Sequence, residues 1–297
     1  MDLGKVGVWS FAFEFQPWGQ VAEAAAELEE LGYGAIWYPE AVGREALVQA
    51  ALFLGATKRV VIASGIANIY ARDAMTAAAG YRTLAEVWPD RFLFGLGVSH
   101  AHLVTGLRGH EYSTPYRKMV AYLEEMDRAI YKAVAPSVEP LRVLAALGPK
   151  MLALAATRSR GAHPYFVPVS HTVKAREILG QGPLLAPELA FVLERDAEKA
   201  RAVARAHMSV YLKAPNYINN LLRLGYTEDD VARGGSDRLV DDLVAWGSVE
   251  DVVARVAAHH AAGADHVCLQ ALSADPTALP MDAYREMAVA LALKAVR

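Results

Sequence analysis

The chain has 297 residues, 54% of them apolar, and its 30 basic and 33 acidic side chains leave a net charge of −3. That is enough for a large core, and α/β barrels of about 250 residues are routinely one domain. No basic stripe is present to release counterions from nucleic acid or to hold a membrane surface, the longest uncharged stretch (92–107) is broken by Gly, Ser and His, and the single Cys268 excludes an internal disulfide framework and a Cys-based zinc site.

The N-terminus runs directly into the strand-like Val6-Gly7-Val8-Trp9, with no basic, apolar and small-residue signal pattern, which predicts a cytoplasmic protein. Apolar strand-length runs then recur at 6–10, 35–38, 60–66, 92–97, 142–145, 162–167, 189–193 and 266–269. Between them, apolar residues at three- and four-residue spacing predict helices such as 21–31, 74–87, 116–133, 151–157, 174–179 and 197–212. Glycines close two of the helical segments, at Gly32 and Gly263. Alternating strands and helices imply a parallel sheet with crossover helices. Eight such units predict a closed (β/α)8 TIM-like barrel rather than an open doubly wound sheet, forming one domain over 1–297. Gly95-Leu96-Gly97-Val98-Ser99-His100 also lacks the third glycine of a dinucleotide fingerprint. Before the last strand, 217–224, 227–232 and 236–246 read as extra helices, an insertion that suits the cover of a barrel mouth or a subunit contact. His259 and His260 fall in a helical stretch and read as solvated, whereas Cys268 reads as buried in a strand.

The most informative segment is Arg91 to His100. A buried strand ends in Gly95 and Gly97, where a Cβ would obstruct a close approach, and delivers Ser99 and His100 at the C-terminal end, where barrels meet their ligands. The second strand ends in Glu40, either a group that orients a ligand or handles a proton, or a solvated loop carboxylate. The third ends Ser64-Gly65-Ile66-Ala67-Asn68, either a bulge against a flat ligand or an ordinary strand end. After the fifth, Ala146-Leu147-Gly148-Pro149 opens a helix with proline at its first position, which suits a phosphate or plain capping. His100-Ala101-His102 has the spacing of a metal pair, but the other strand ends offer only Glu40 and His163, so no metal is expected. No Gly-x-Ser-x-Gly elbow is present.

In order and spacing, these residues resemble the bacterial luciferase-like superfamily, and within it the coenzyme F420-dependent oxidoreductase branch. The carriers are the stretch Glu27 to Glu40, Ala63-Ser64-Gly65-Ile66, Thr83 to Gly97, Ala145 to Met151 and Ala262 to Val267. The resemblance implies a homodimer with a flavin or deazaflavin ring at the C-terminal mouth of the barrel. It also implies a non-prolyl cis peptide at Gly65-Ile66 under the ring, Glu40 and Asn68 beside it, the loop Gly97, Val98 and Ser99, and phosphate-side amides at Ala146, Leu147 and Gly148. Some relatives carry a glutamate where this chain has His100, so imidazole would manage the substrate proton here, with Glu14 a second carboxylate able to face the ring. The expected activity is hydride transfer between F420 and a small organic substrate. The alternatives are an FMN-dependent luciferase-like monooxygenase and, from another class, a barrel that binds without catalysis.

Overall fold

The computed structural model describes residues 1–294. Eight parallel strands form the staves of a barrel: β1 Val6–Trp9, β2 Ala35–Tyr38, β3 Val61–Ser64, β4 Phe92–Gly97, β5 Leu141–Leu144, β6 Gly161–Ala162, β7 in two pieces, Leu184–Leu185 and Glu188–Val192, and β8 Val267–Ala271. Each neighbours the next, and β1 pairs with β8 through Gly7 opposite Cys268. The two pieces of β7 close the ring. On one edge Ala186 N–H donates to Ala162 O (3.0 Å) and Glu188 N–H to Pro164 O (2.9 Å); on the other, Leu185 O and Pro187 O accept from Asp265 and Cys268 N–H (2.9 Å each). The expected TIM-like α/β barrel is therefore the fold.

Strand residues alternate between two cores because side chains change face at every step. Trp9, Ala35, Trp37, Val61, Ala63, Leu93, Val143 and Cys268 fill the bore. Val8, Ile36, Ile62, Phe94, Leu144, Leu189 and Leu269 face outward and pack under the helices. The bore also holds polar groups whose valences are largely met. Trp37 Nε1 donates to His266 Nε2 (3.2 Å), and the opposite ring nitrogen of His266 donates to Gly4 O (2.9 Å). The His163 ring stacks on Trp37 at 4.4 Å and donates from Nδ1 to Ala186 O (2.7 Å).

Two expectations are corrected. The last part of the predicted helix 236–246 is the strand Val244–Trp246, which pairs with the second piece of β7, Val244 opposite Ala190. Because β6 ends at Ala162, that edge of β7 is open above it, and Val244 and Trp246 are side chains that suit a strand. His259 is fully buried, not solvated: it lies at helical spacing from Val252 and Val256 on the inner face of helix Val249–Ala261, and its Nδ1 meets Thr172 Oγ1 at 2.9 Å. Cys268 is a buried free thiol, as its strand setting implied.

The inserted helices Pro215–Arg223, Glu228–Val231 and Asp237–Leu243 build a second apolar cluster with helix Ala197–Tyr211. Tyr217 and Leu221 belong to it, so the insertion is seated on that side of the mouth by its own core.

Candidate functional site

The peptide between Gly65 and Ile66, just past β3, is cis. The Gly65 carbonyl accepts from Trp9 Nε1 (3.1 Å), its N–H donates to Tyr38 O (2.7 Å), and Ile66 O accepts from Glu40 N–H (3.2 Å). The chain then rejoins the sheet, Ala67 opposite Leu96 and Asn68 opposite Gly97. The two β4 glycines are there because of this segment. A Cβ on Gly95 would strike the Ser64 carbonyl oxygen, and one on Gly97 would strike the Ile66 side chain. Past β4, Ser99 adopts a left-handed conformation (φ 56°), and its carbonyl accepts from Tyr112 Oη (3.0 Å).

The carboxylates occupy different places. Glu40 is buried with both oxygens engaged, one accepting from Ala46 N–H (3.0 Å) and pairing with Arg72, the other accepting from Asn68 N–H (2.7 Å). It ties the loops after β2 and β3 together. Asn68 is buried, and its Oδ1 accepts from Tyr70 N–H (2.9 Å). Glu14 stands on the short 3-10 turn Ala12–Phe15 after β1, and its Oε2 accepts from Arg44 N–H (2.8 Å), which turns the carboxylate toward the loop after β2.

His100 opens a single wide-turn helix, His102–Leu107, its carbonyl accepting from Leu103 and Val104 N–H. Its Nδ1 lies 3.2 Å from Asn216 Oδ1, and its ring lies 5.4 Å from that of Tyr217, both on inserted helix Pro215–Arg223. Burial pushes its pKa below the ordinary histidine value, the Asn216 bond works against that shift, and His102 adds to it. On the other side, Ala146 is buried, the Leu147 carbonyl meets His171 Nε2 (2.9 Å), and Gly148 caps helix Pro149–Arg158 with no side-chain bond and with proline first. Among the described residues no group of three His, Cys, Asp or Glu side chains is arranged to hold a metal.

Sequence reasoning missed the aromatic cover of the mouth. Tyr165, past β6, donates from Oη to Gln270 Oε1 (2.9 Å), and the Tyr211 hydroxyl meets it at 2.8 Å. Phe166, in a left-handed conformation (φ 58°), lies 5.0 Å from Tyr211 and 5.4 Å from Tyr217, ring to ring. Burial raises the pKa of Tyr165, Tyr211 and Tyr217, keeping all three as neutral hydroxyls. Beneath them Glu188 Oε2 accepts from Phe166 N–H (3.1 Å), while Oε1 is buried without a partner and burial pushes this carboxyl up to about 8. Its place in Glu-Leu-Ala-Phe-Val hid it: the spacing shows it on the bore face, but only the fold sets it under the mouth.

Comparison with known proteins agrees with the geometry. The model of the luciferase-like monooxygenase family matches residues 3–266, and the chain belongs to that family of oxidoreductases. A Mycobacterium tuberculosis protein provisionally named as a coenzyme F420-dependent oxidoreductase, Rv3520c, is 25% identical over 93% of this chain and 96% of its own. An F420-dependent secondary alcohol dehydrogenase, solved with an F420-acetone adduct, superposes with a TM-score of 0.77 at 16% identity, covering 96% of this chain and 98% of its own. The oxygenating constituent of 3,6-diketocamphane monooxygenase from Pseudomonas putida, solved with FMN, superposes at 0.69 and 13% identity, covering 96% of each chain. No helix among the described residues is long and apolar enough to cross a membrane.

Proposed function

We propose that the protein is an F420-dependent oxidoreductase that moves a hydride between C5 of the deazaflavin and a small organic substrate. The observation that carries the reading is the imidazole of His100, held by Asn216 at the exit of β4 beside Gly97, Val98 and Ser99. The residues suit a planar ring with a phosphate: the Ile66 side chain packs into the space that the missing Cβ of Gly97 leaves, which seats the Gly65-Ile66 segment against the end of β4, and Ala146, Leu147 and Gly148 lead into a helix start that no side chain caps. When bound, the deazaflavin donates or accepts the hydride, and the balancing proton is left to the protein. His100 handles that proton, with Glu14 the weaker candidate because its carboxylate is turned to the loop at Arg44. Glu40 and Asn68 support the ring side of the site by holding the loops past β2 and β3 together. The F420-dependent name of the 25% identical relative favours F420 over FMN.

The single barrel domain, a cytoplasmic setting and a homodimer belong to the same proposal. Cys268, the one thiol, is buried and unpaired. Val48, Leu52 and Met75 are exposed on helices Ala46–Ala56 and Ala74–Val87, an apolar surface that a second copy would cover. Sedimentation should then give twice the chain mass.

Fluorescence titration of the purified protein with F420 and, separately, FMN tests the cofactor. Micromolar or tighter binding of F420 with much weaker FMN is expected. Preference for FMN would move the reading to a flavin-dependent monooxygenase, and binding of neither would favour a barrel that does not catalyse.

A further inference from the structure

Helix Pro215–Arg223 reaches both sides of the mouth. Tyr217, Asn220 and Leu221 are its buried face, at spacings of three and four, and this seating fixes the rotation of the helix. Its first turn sets Asn216 and Tyr217 against His100. Its last residue, Arg223, reaches the loop after β5: Nη2 would lie 3.5 Å from a Cβ placed on Gly148.

Two cationic side chains come together at that meeting point. Arg223 forms no ion pair among the described residues, and its carbonyl accepts from Lys174 Nζ (3.4 Å), which brings a second cation. Gly148 has no side-chain cap; behind Pro149 the Met151 and Leu152 N–H groups turn back to the Gly148 carbonyl (3.1 and 3.0 Å), which leaves the Lys150 amide at the helix start without an acceptor in the helix. Asn220, one turn back from Arg223, is 3% exposed; its Oδ1 lies 3.5 Å from Arg223 Nη2, and its Nδ2 is buried with no partner. A buried donor without an acceptor is costly, so its place beside an unpaired guanidinium and an uncapped helix start marks where an anion belongs.

We infer that Arg223 is the side-chain half of an anion subsite whose backbone half is Leu147 and Gly148, and that the phosphate of the ring cofactor, once held there, clamps the inserted helix and with it Asn216 against His100. The inference rests on the proposed cofactor reading and adds a residue from outside the barrel strands and their loops. It makes the insertion part of the cofactor site, so that phosphate binding and the setting of His100 share one helix.

The test is a fluorescence titration of the wild type, Arg223→Gln and Arg223→Lys with F420 and with the deazaflavin riboside that lacks the phosphate. Arg223→Gln should weaken F420 by about 10- to 100-fold, the size of a lost charged hydrogen bond, and leave the riboside unchanged. Arg223→Lys should recover part of the loss, because the charge remains without the fork. Equal loss for both ligands, or no loss for F420, overturns the assignment. If Arg223→Gln does not fold, the wild type decides: rising salt must weaken F420 and not the riboside. If the wild type binds neither ligand, the cofactor reading fails and the subsite falls with it, an outcome distinct from F420 binding that ignores Arg223.

Discussion

His100 and Asn216 are 116 residues apart in sequence and 3.2 Å apart in space, Nδ1 to Oδ1. An amide oxygen can only accept, so the imidazole carries its hydrogen on Nδ1, and Nε2 is the nitrogen free to exchange a proton. Burial favours the neutral ring, whereas the Asn216 bond favours the charged one. The result is a base at neutral pH whose tautomer is set by a residue of the insertion.

The pH profile of turnover should follow from that pair. The acid limb should fall below pH 6.5, since the pKa of His100 is lowered. Asn216→Ala removes the bond that favours the charged ring, so the limb should move to still lower pH. His100→Ala should cost about 10²- to 10⁴-fold in kcat, the usual worth of a positioned acid or base. Unchanged kcat and pH profile in His100→Ala would show that another group moves the proton.

The two β4 glycines should respond differently to the same added methyl. At Gly95 the obstacle is the backbone oxygen of Ser64, which cannot step aside; at Gly97 it is the flexible Ile66 side chain. Gly95→Ala should lose about 2–3 kcal/mol of stability by overpacking. Gly97→Ala should lose less but displace Ile66 from the mouth and weaken cofactor binding. Urea melts and titrations of both variants check the contrast, and equal stability loss would refute it.

Much of this was legible in the chain. The eight strand runs, the β4 glycines and the segment delivering His100 are local, because period, length and glycine placement are written in neighbouring residues. The strand Val244–Trp246 was not, since it exists only because β6 stops early and leaves an edge to fill. Asn216, Arg223 and Glu188 were not legible as site residues either. Each gains its meaning from a contact with a distant segment, and no local pattern records that Asn216 meets His100 or that Arg223 meets Gly148. The direction of the Glu14 carboxylate likewise depends on a distant partner, the Arg44 amide that donates to it.

Glu29 should be a stability residue far from any chemistry. It lies at the end of helix Trp18–Glu30, is 8% exposed, and accepts from the N–H groups of Lys58, Arg59 and Val60 (2.9, 2.5 and 2.8 Å), which lead into β3. Burial pushes its pKa up, but the three amides outweigh that and hold it below the ordinary value. Glu29→Ala leaves three amides without their acceptor and should cost about 3 kcal/mol, with turnover of the remaining folded enzyme unchanged. A chemical denaturation midpoint that does not move would contradict this.

The dependence of stability on pH should carry two opposite signatures from the buried groups. Burial lowers His163, His207 and His266 to about 4 and His259 to about 3, so between those values and 6.5 the unfolded chain binds more protons than the fold. Stability should therefore fall as pH drops from 6.5 toward 4. Glu188 acts in the other direction. Its folded pKa of about 8 lies above the ordinary 4.5, so the stability it contributes is full below 4.5 and is lost as pH rises toward 8. Glu188→Gln keeps a neutral side chain of similar shape and cannot ionise. Relative to the wild type, the variant should gain stability steadily from pH 5 to 8, each tenfold difference in proton affinity being worth about 1.4 kcal/mol. Urea melts of both proteins across that range measure the gap, and a gap that stays constant would mean that Glu188 ionises in the fold as readily as in water.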